Sequence, residues 1–310
     1  MAEKVTCIIV TYNRKELLKE CLYAILNQTI SIENLLIIDN ASTDGTMEML
    51  KDEGFLSKRG FIYHLMETNL GGSGGFYEGM RRAPKDTDWL WIMDDDTIPN
   101  KDCLEKLLVA SKSITHRVSF FASSVFGPNK EPMNIPTVDC RLTDNGYANW
   151  YYELKNKMVK ICDATFVSLL INNNAIKSCG LPCKDYFIWG DDTEYTTRLT
   201  TYYGPAYMVG DSIVCHKRFG SKALSITSEN NPNRINNYFY YYRNILINTY
   251  VYKGKKEGFK LTVKCYIFSL KLLREKYGIK KCKTVVKGIN HGCKQWKTFD
   301  DYISGQIKGE

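Results

Sequence analysis

Apolar residues in this chain come in short unbroken runs instead of alternating with polar ones. Val5-Thr6-Cys7-Ile8-Ile9-Val10, Leu35-Leu36-Ile37-Ile38 and Trp89-Leu90-Trp91-Ile92-Met93 are too short for buried helices and too continuous for half-exposed strands. That is the pattern of strands covered on both faces. Phe61 to Met66 makes another strand, third in chain order. Between the first two runs, Leu17, Leu18, Cys21, Leu22, Ile25 and Leu26 fall on one stripe of a helix. The turn-rich stretch Ala41-Ser42-Thr43-Asp44-Gly45-Thr46 leads into a second helix around Met47 to Leu50. Asn69-Leu70-Gly71-Gly72-Ser73-Gly74-Gly75-Phe76 reads as a loop opening a third helix that ends near Arg82. Four strand–helix alternations predict an α/β fold with a mostly parallel sheet flanked by helices.

Further along, the pattern predicts a helix over 100–112 and strands over 119–126 and 163–171, with a Pro- and Asn-rich connection between the strands. After Asn230 it changes to the aromatic run Tyr238-Phe239-Tyr240-Tyr241-Tyr242-Arg243-Asn244, then to basic amphipathic helix. The chain therefore divides into an α/β body, 1–230, and a basic, aromatic-rich helical extension, 231–310.

Charge sharpens that division. The net charge is +8, yet residues 251–310 alone hold 15 Lys/Arg against 5 Asp/Glu, which leaves the body close to neutral. A basic tail behind a neutral body suits an anionic surface, such as the inner face of a membrane or a phosphorylated lipid; a solvated helical face is the plainer explanation. Nucleic acid is not expected, because no zinc-finger, recognition-helix or RNA-binding pattern accompanies the charge. The 11 cysteines follow no ligand spacing, which fits free thiols in a reducing cytoplasm. No stretch approaches the ~18–20 apolar residues of a membrane span. The expected location is cytoplasmic, with membrane contact only at the surface.

The candidate chemistry lies where the apolar runs stop. Asp94-Asp95-Asp96 follows Trp89 to Met93 directly, so a buried strand delivers carboxylates to the sheet edge where ligands of open α/β folds bind. Asp94 and Asp96, on one side of an extended segment, can converge on a divalent cation. His216, after Ile213-Val214-Cys215, is either a third ligand suited to manganese or a satisfied core histidine. Asp191-Asp192 follows Ile188-Trp189-Gly190 and is either a proton acceptor or a helix-start pair. Thr11-Tyr12-Asn13-Arg14 joins the first strand to the first helix, where backbone amides and Arg14 favour an anion. Asp39 ends the second strand and can serve a ribose or cap the next helix. The glycine cluster Gly71-Gly72-Ser73-Gly74-Gly75 is neither a dinucleotide fingerprint nor a P-loop, but it permits close approach of a ligand or of another backbone.

Taken together and in this order, these segments resemble the inverting glycosyltransferases of family 2, which share the nucleotide-binding GT-A fold. The resemblance spans roughly residues 5 to 220. Asn69 to Phe76, Trp189 to Tyr195 and His216 look most like the galactofuranosyltransferase branch, with the rhamnosyltransferases as the alternative. Two departures are Gly190 between Trp189 and the acidic pair, and Asp-Asp where many relatives have Glu-Asp. The resemblance implies a nucleotide-sugar half over 1–100 and an acceptor half over 101–230. It implies Asp192 as base with Asp191 beside it, and Asp94, Asp96 and His216 around Mn2+ or Mg2+. It also implies a donor site formed by Thr11, Tyr12, Asn13, Arg14, Asp39, Asn69, Gly72, Ser73, Gly74, Asp94, Asp95 and Trp189. The partners implied are a UDP-linked sugar and a glycan or lipid-linked glycan acceptor.

Overall fold

A computed structural model describes residues 3–218 and 225–307. Strands among them are β1 (Val5–Thr11), β2 (Asn34–Asp39), β3 (Phe61–Leu65), β4 (Trp89–Asp94), β5 (Thr97–Pro99), β6 (Phe120–Phe126), β7 (Thr137–Val138), β8 (Met158–Asp163), β9 (Val167–Asn172) and β10 (Ala206–His216). The α-helices are α1 (Lys15–Leu26), α2 (Thr46–Asp52), α3 (Gly71–Arg82), α4 (Cys103–Ser113), α5 (Asn173–Cys179), α6 (Asp191–Tyr202), α7 (Pro232–Lys271) and α8 (Gly278–Ile307). All ten strands belong to one sheet, ordered β3-β2-β1-β4-β9-β6-β10-β8-β7, with β5 paired to β10.

The expected parallel arrangement holds for β3-β2-β1-β4. Beyond β4 the sheet is mixed: β9 runs antiparallel between β4 and β6, and β10 is parallel to β6 but antiparallel to β5 and β8. The single strand expected over 163–171 is instead the end of β8, a short connection and β9. The unbroken apolar runs are explained by burial from both sides. In β1, Cys7 and Ile9 join the core under α1 and α4, while Ile8 and Val10 join the core under α3 and α6.

Register places the site. Thr11 pairs with Asp39 and Val10 with Asp94, so the ends of β1, β2 and β4 are level at one edge. Antiparallel pairing of His216 with Thr97 brings the end of β10 to the same edge.

The glycine cluster departs from expectation, because it forms the first turns of α3 and not a loop. Gly75 of the cluster, and Gly79 one turn on, serve helix–sheet contact. A Cβ on Gly75 would lie 2.4 Å from Val10 Cγ1, and one on Gly79 would lie 2.5 Å from Ile8 Cγ2. Glycine is a poor helix former, by about 1 kcal/mol against alanine, so tertiary packing overrides propensity here.

The extension forms its own core around Tyr238, Tyr242, Leu246, Val285 and Ile289. Helix α7 breaks at Gly254, whose φ is 82°. Helix α8 lies close along the first half of α7, where a Cβ on Gly288 would meet the Phe239 carbonyl oxygen at 2.7 Å. Tyr186, Ile247 and Phe299 join this unit to the body. No helix among the described residues is long and apolar enough to cross a membrane.

Candidate active site

The turn after β4 brings three carboxylates under a low-dielectric roof. Asp95 and Asp96 are buried, while Asp94 keeps partial exposure. Burial, followed by the charges of Asp96 and Asp95, drives the Asp94 carboxyl well above the ordinary carboxylate range. Burial also raises Asp95, to about 6, although Arg14 opposes it. Asp96 moves the other way: burial pushes it up, but His216 and Arg14 outweigh that and the net shift is downward. Arg14 Nη1 donates to Asp96 Oδ2 at 2.7 Å and to Asp95 Oδ1 at 3.2 Å. The half-exposed Arg14 guanidinium thus meets two of the three carboxylates directly, and the charge of Arg218 also reaches Asp96.

The residues fit a cation. Asp94, Asp96 and His216 each offer one ligand atom, and these atoms lie within 4.8 Å of one another. His216 Nδ1 lies 2.8 Å from Asn134 Oδ1, an acceptor. With the proton on Nδ1, the Nε2 lone pair faces Asp96 Oδ1 at 3.1 Å. No hydrogen bond of good geometry reaches that buried oxygen. Two lone pairs at this distance repel unless a proton or a metal lies between them. An imidazole tied back through its other nitrogen is also the usual outer-shell arrangement of a metal-binding histidine.

Asp191 and Asp192 open α6, after a segment with positive φ at Phe187, Trp189 and Gly190. Asp191 is buried, and its charge is among those that raise Asp94, so the two acidic clusters are electrostatically one site. Burial, then the neighbouring Asp192, lifts Asp191 well above its ordinary range. Burial lifts Asp192 to about 6, with Thr193 opposing and Asp163 adding to the rise. Asp192 Oδ1 accepts the Thr193 N–H at 2.7 Å. Glu194, the third carboxylate of this turn, is committed elsewhere: Arg198 reaches it through two nitrogens at 3.0 and 2.9 Å, and Tyr252 donates at 2.7 Å.

The remaining donor-site expectations divide into walls and open surface. Thr11 donates to Asp95 Oδ2 at 2.8 Å. Asp39 is buried, accepting from Ser42 N–H and Tyr63 O–H, both at 2.7 Å. Asn13, at φ 53°, ties this loop to the next through Ser42 and Thr43. Asn69 accepts from Gly71 N–H at 2.8 Å, and Ser73 donates to the Cys183 carbonyl at 2.6 Å. A Cβ on Gly74 would meet Leu70 at 2.4 Å, whereas none of the surroundings approach Gly72. Trp189 packs against Tyr238 at 5.1 Å. Tyr12, Asn13, Arg14 and Gly72 therefore present surface, and the more buried residues shape what lies behind it. Asn134 and Asp163 had no signal in the local sequence, because each acts on a partner far along the chain.

The family model for glycosyl transferase family 2 matches residues 6–172, more than half of the chain. The chain belongs to that family. This glycosyltransferase is 28% identical over 203 residues to galactofuranosyltransferase GlfT1 of Mycolicibacterium smegmatis, covering 64% of the chain and 65% of the relative. It thus spans just under two thirds of the curated relative's length. Two solved structures share the GT-A fold at low identity. TarS 1-349 of S. aureus in complex with UDP-GlcNAc has a TM-score of 0.59 at 14% identity, covering 98% of this chain and 88% of that one. GalNAc-T7 with UDP, GalNAc and Mn2+ has a TM-score of 0.61 at 15% identity, covering 98% and 57%.

The outer-shell role of Asn134 is directly testable. Asn134→Ala is expected to weaken Mn2+ binding about 10–100-fold by calorimetric titration, with the protein still folded. Unchanged affinity would mean that His216 is oriented by something other than Asn134.

Proposed function

We propose that this glycosyltransferase inverts the anomeric centre and depends on Mn2+ or Mg2+. In this reading it moves galactofuranose from UDP-galactofuranose to a hydroxyl of a glycan or lipid-linked glycan. The observation that carries the chemistry is the convergence of Asp94, Asp96 and His216, with Asp191 near enough for its charge to raise Asp94 and Asp192 beside it at the start of α6. Likeness to a galactofuranosyltransferase supports the sugar. The UDP-bound states of the two GT-A neighbours support the nucleotide, and the Mn2+ of one supports the metal.

In this reading the diphosphate lies against Arg14, Tyr12 and Gly72, with Asp94, Asp96 and His216 holding the cation. When bound, the cation neutralises negative charge on the diphosphate oxygens. The Asp192 carboxylate takes the proton of the acceptor hydroxyl while that oxygen attacks the anomeric carbon. The new carbon–oxygen bond forms on the face opposite the diphosphate, and the bond to the diphosphate oxygen breaks. Its electron pair leaves on the nucleoside diphosphate, through an oxocarbenium-like state. Burial of Asp192 raises its proton affinity towards the operating range, which strengthens it as a base.

The extension supports a membrane-surface acceptor. Phe259, Val263, Ile267, Leu270 and Leu273 are exposed, and the first four recur at helical spacing on α7 among Lys260, Lys264 and Lys271. Leu261, in the same stretch, packs inward instead. Such a face suits the headgroup boundary of an anionic bilayer. Co-sedimentation with phosphatidylglycerol vesicles should be strong at low salt and weaker at high salt. No binding at low salt would reduce this face to solvated helix.

A panel of nucleotide sugars with manganese should release nucleoside diphosphate fastest from UDP-galactofuranose. Preference for dTDP-rhamnose would move the enzyme to the rhamnosyl branch. Asp192→Asn should lower transfer by roughly 10²–10⁴-fold and leave nucleotide affinity nearly intact. Since only the deprotonated carboxylate accepts a proton, wild-type turnover should rise with pH through about 6 and level above it. An Asp192→Asn enzyme that keeps more than about a tenth of wild-type turnover would contradict the assignment.

A further inference from the structure

The segment that delivers Asp191 and Asp192 makes a few backbone bonds of its own, Ile188 N–H to the Tyr186 carbonyl and Glu194 N–H to the Gly190 carbonyl among them, and is otherwise held by side chains of the C-terminal extension. Among residues 185–190, φ is positive at Phe187 (66°), Trp189 (62°) and Gly190 (91°). The first two are bulky side chains in a region that such residues rarely occupy, and they persist there only where the surroundings over-determine the backbone.

The surroundings are specific. Arg243 Nη2 donates to the carbonyls of Asp185 at 2.8 Å and Tyr186 at 3.0 Å. Asn244 Nδ2 donates to the carbonyls of Tyr186 and Ile188, both at 3.1 Å, and of Trp189 at 2.7 Å. Asn248 Nδ2 donates to the Gly190 carbonyl at 2.9 Å and accepts the Tyr186 O–H at 2.7 Å. The one remaining carbonyl, that of Phe187, accepts the Ser73 N–H at 3.3 Å, from the first turn of α3. Every carbonyl from 185 to 190 thus has a donor from another element, and all but one of those elements is α7.

The donors are themselves fixed. Asn244 is fully buried, and Arg243 Nε donates to Asn244 Oδ1 at 2.8 Å, which sets the amide with its nitrogen toward the loop. Phe187 stacks on Tyr240 with ring centroids 4.7 Å apart, and Trp189 packs on Tyr238, so the same helix also seats the loop's aromatic side chains. A Cβ on Gly71 would lie 2.0 Å from the Phe187 carbonyl oxygen, so the donor-side helix closes on the loop from the opposite direction.

We infer that Asn244 and Asn248, with Arg243 fixing the Asn244 amide, are positioning residues for sugar transfer: they hold the 185–190 backbone so that Asp192 meets the acceptor hydroxyl. This rests on the reading of Asp192 as the base. The donor half of the site, built on β1, β2 and β4, makes no hydrogen bond with Asn244 or Asn248 among the described residues. Its affinity should therefore be separable from theirs.

The test uses the full chain with three variants: Asn244→Ala, Asn248→Ala and Asp192→Asn. Each is measured for circular dichroism, for UDP affinity in manganese by calorimetry, and for kcat, donor KM and the pH dependence of kcat. A misplacement of about 1 Å can cost on the order of 10²-fold in rate. Asn244→Ala is expected to lower kcat by about that factor, to displace the acidic limb of the pH profile, and to leave UDP affinity within about twofold. Asn248→Ala removes two loop bonds, those to the Gly190 carbonyl and the Tyr186 hydroxyl, but from a half-buried residue, so it should fold whatever happens to Asn244→Ala. It should lower kcat in the same direction by less, and Asn248→Gln should restore part of it. Wild-type kcat in Asn248→Ala, or equal losses of kcat and UDP affinity in the folded variants, would overturn the proposal. If Asp192→Asn is inactive while Asn244→Ala and Asn248→Ala turn over normally, the base assignment stands and the positioning role alone fails. If Asp192→Asn itself turns over normally, the base assignment fails.

Discussion

Mutual repulsion among carboxylates gathered at the end of a buried strand is the constraint around which the molecule is arranged. Asp94, Asp95 and Asp96 share one turn, and Asp191 approaches from α6. Buried like charges raise one another's proton affinity, and such a cluster is stable only with compensating cations or retained protons. The protein supplies the Arg14 guanidinium from the β1–α1 junction, and it sets the His216 imidazole, tied back through Asn134, beside Asp96 at the end of β10. That compensation is incomplete, since Asp94 stays well above the ordinary range with Arg14 present. A cluster of buried carboxylates, open at Arg14 and Tyr12, suits the metal–diphosphate ligand proposed above.

The proposed transfer also requires a proton acceptor, and the turn proposed to supply it, Asp191-Asp192, is held from an unexpected side. The helix carrying Asp191 and Asp192 packs on the sheet through Tyr195 and Leu199. The backbone leading into it is instead held by α7 of the extension. The same extension exposes an apolar, lysine-flanked face. One unit therefore holds the loop before Asp191 and Asp192 and carries the exposed apolar face on which the membrane-surface proposal rests.

Much of this was legible in the sequence because it depends on local pattern. The four runs became β1 to β4, of which β3, an edge strand, is only partly covered, and an apolar run ending in Asp94-Asp95-Asp96 did deliver carboxylates to the sheet edge. The glycine cluster was misread as a loop because propensity favours that reading; only the facing Val10 and Ile8 explain why glycines are needed in a helix there. Parallel order beyond β4 failed because strand direction there is set by which edges remain unpaired, and no local pattern reports that. Asn134 and Asn244 could not be found at all. Asn134 contacts His216 across 82 residues, and Asn244 looks like one polar position in an aromatic helix until the 185–190 carbonyls are placed beside it.

The most direct measurement is calorimetric titration of UDP into the protein at neutral pH, with and without manganese, in the wild type and in Asp96→Ala. The account predicts clearly tighter UDP binding with manganese in the wild type and loss of that enhancement in Asp96→Ala. Equal affinity with and without the metal, or an enhancement that survives Asp96→Ala, would contradict the claim that these carboxylates and His216 form a metal–diphosphate site.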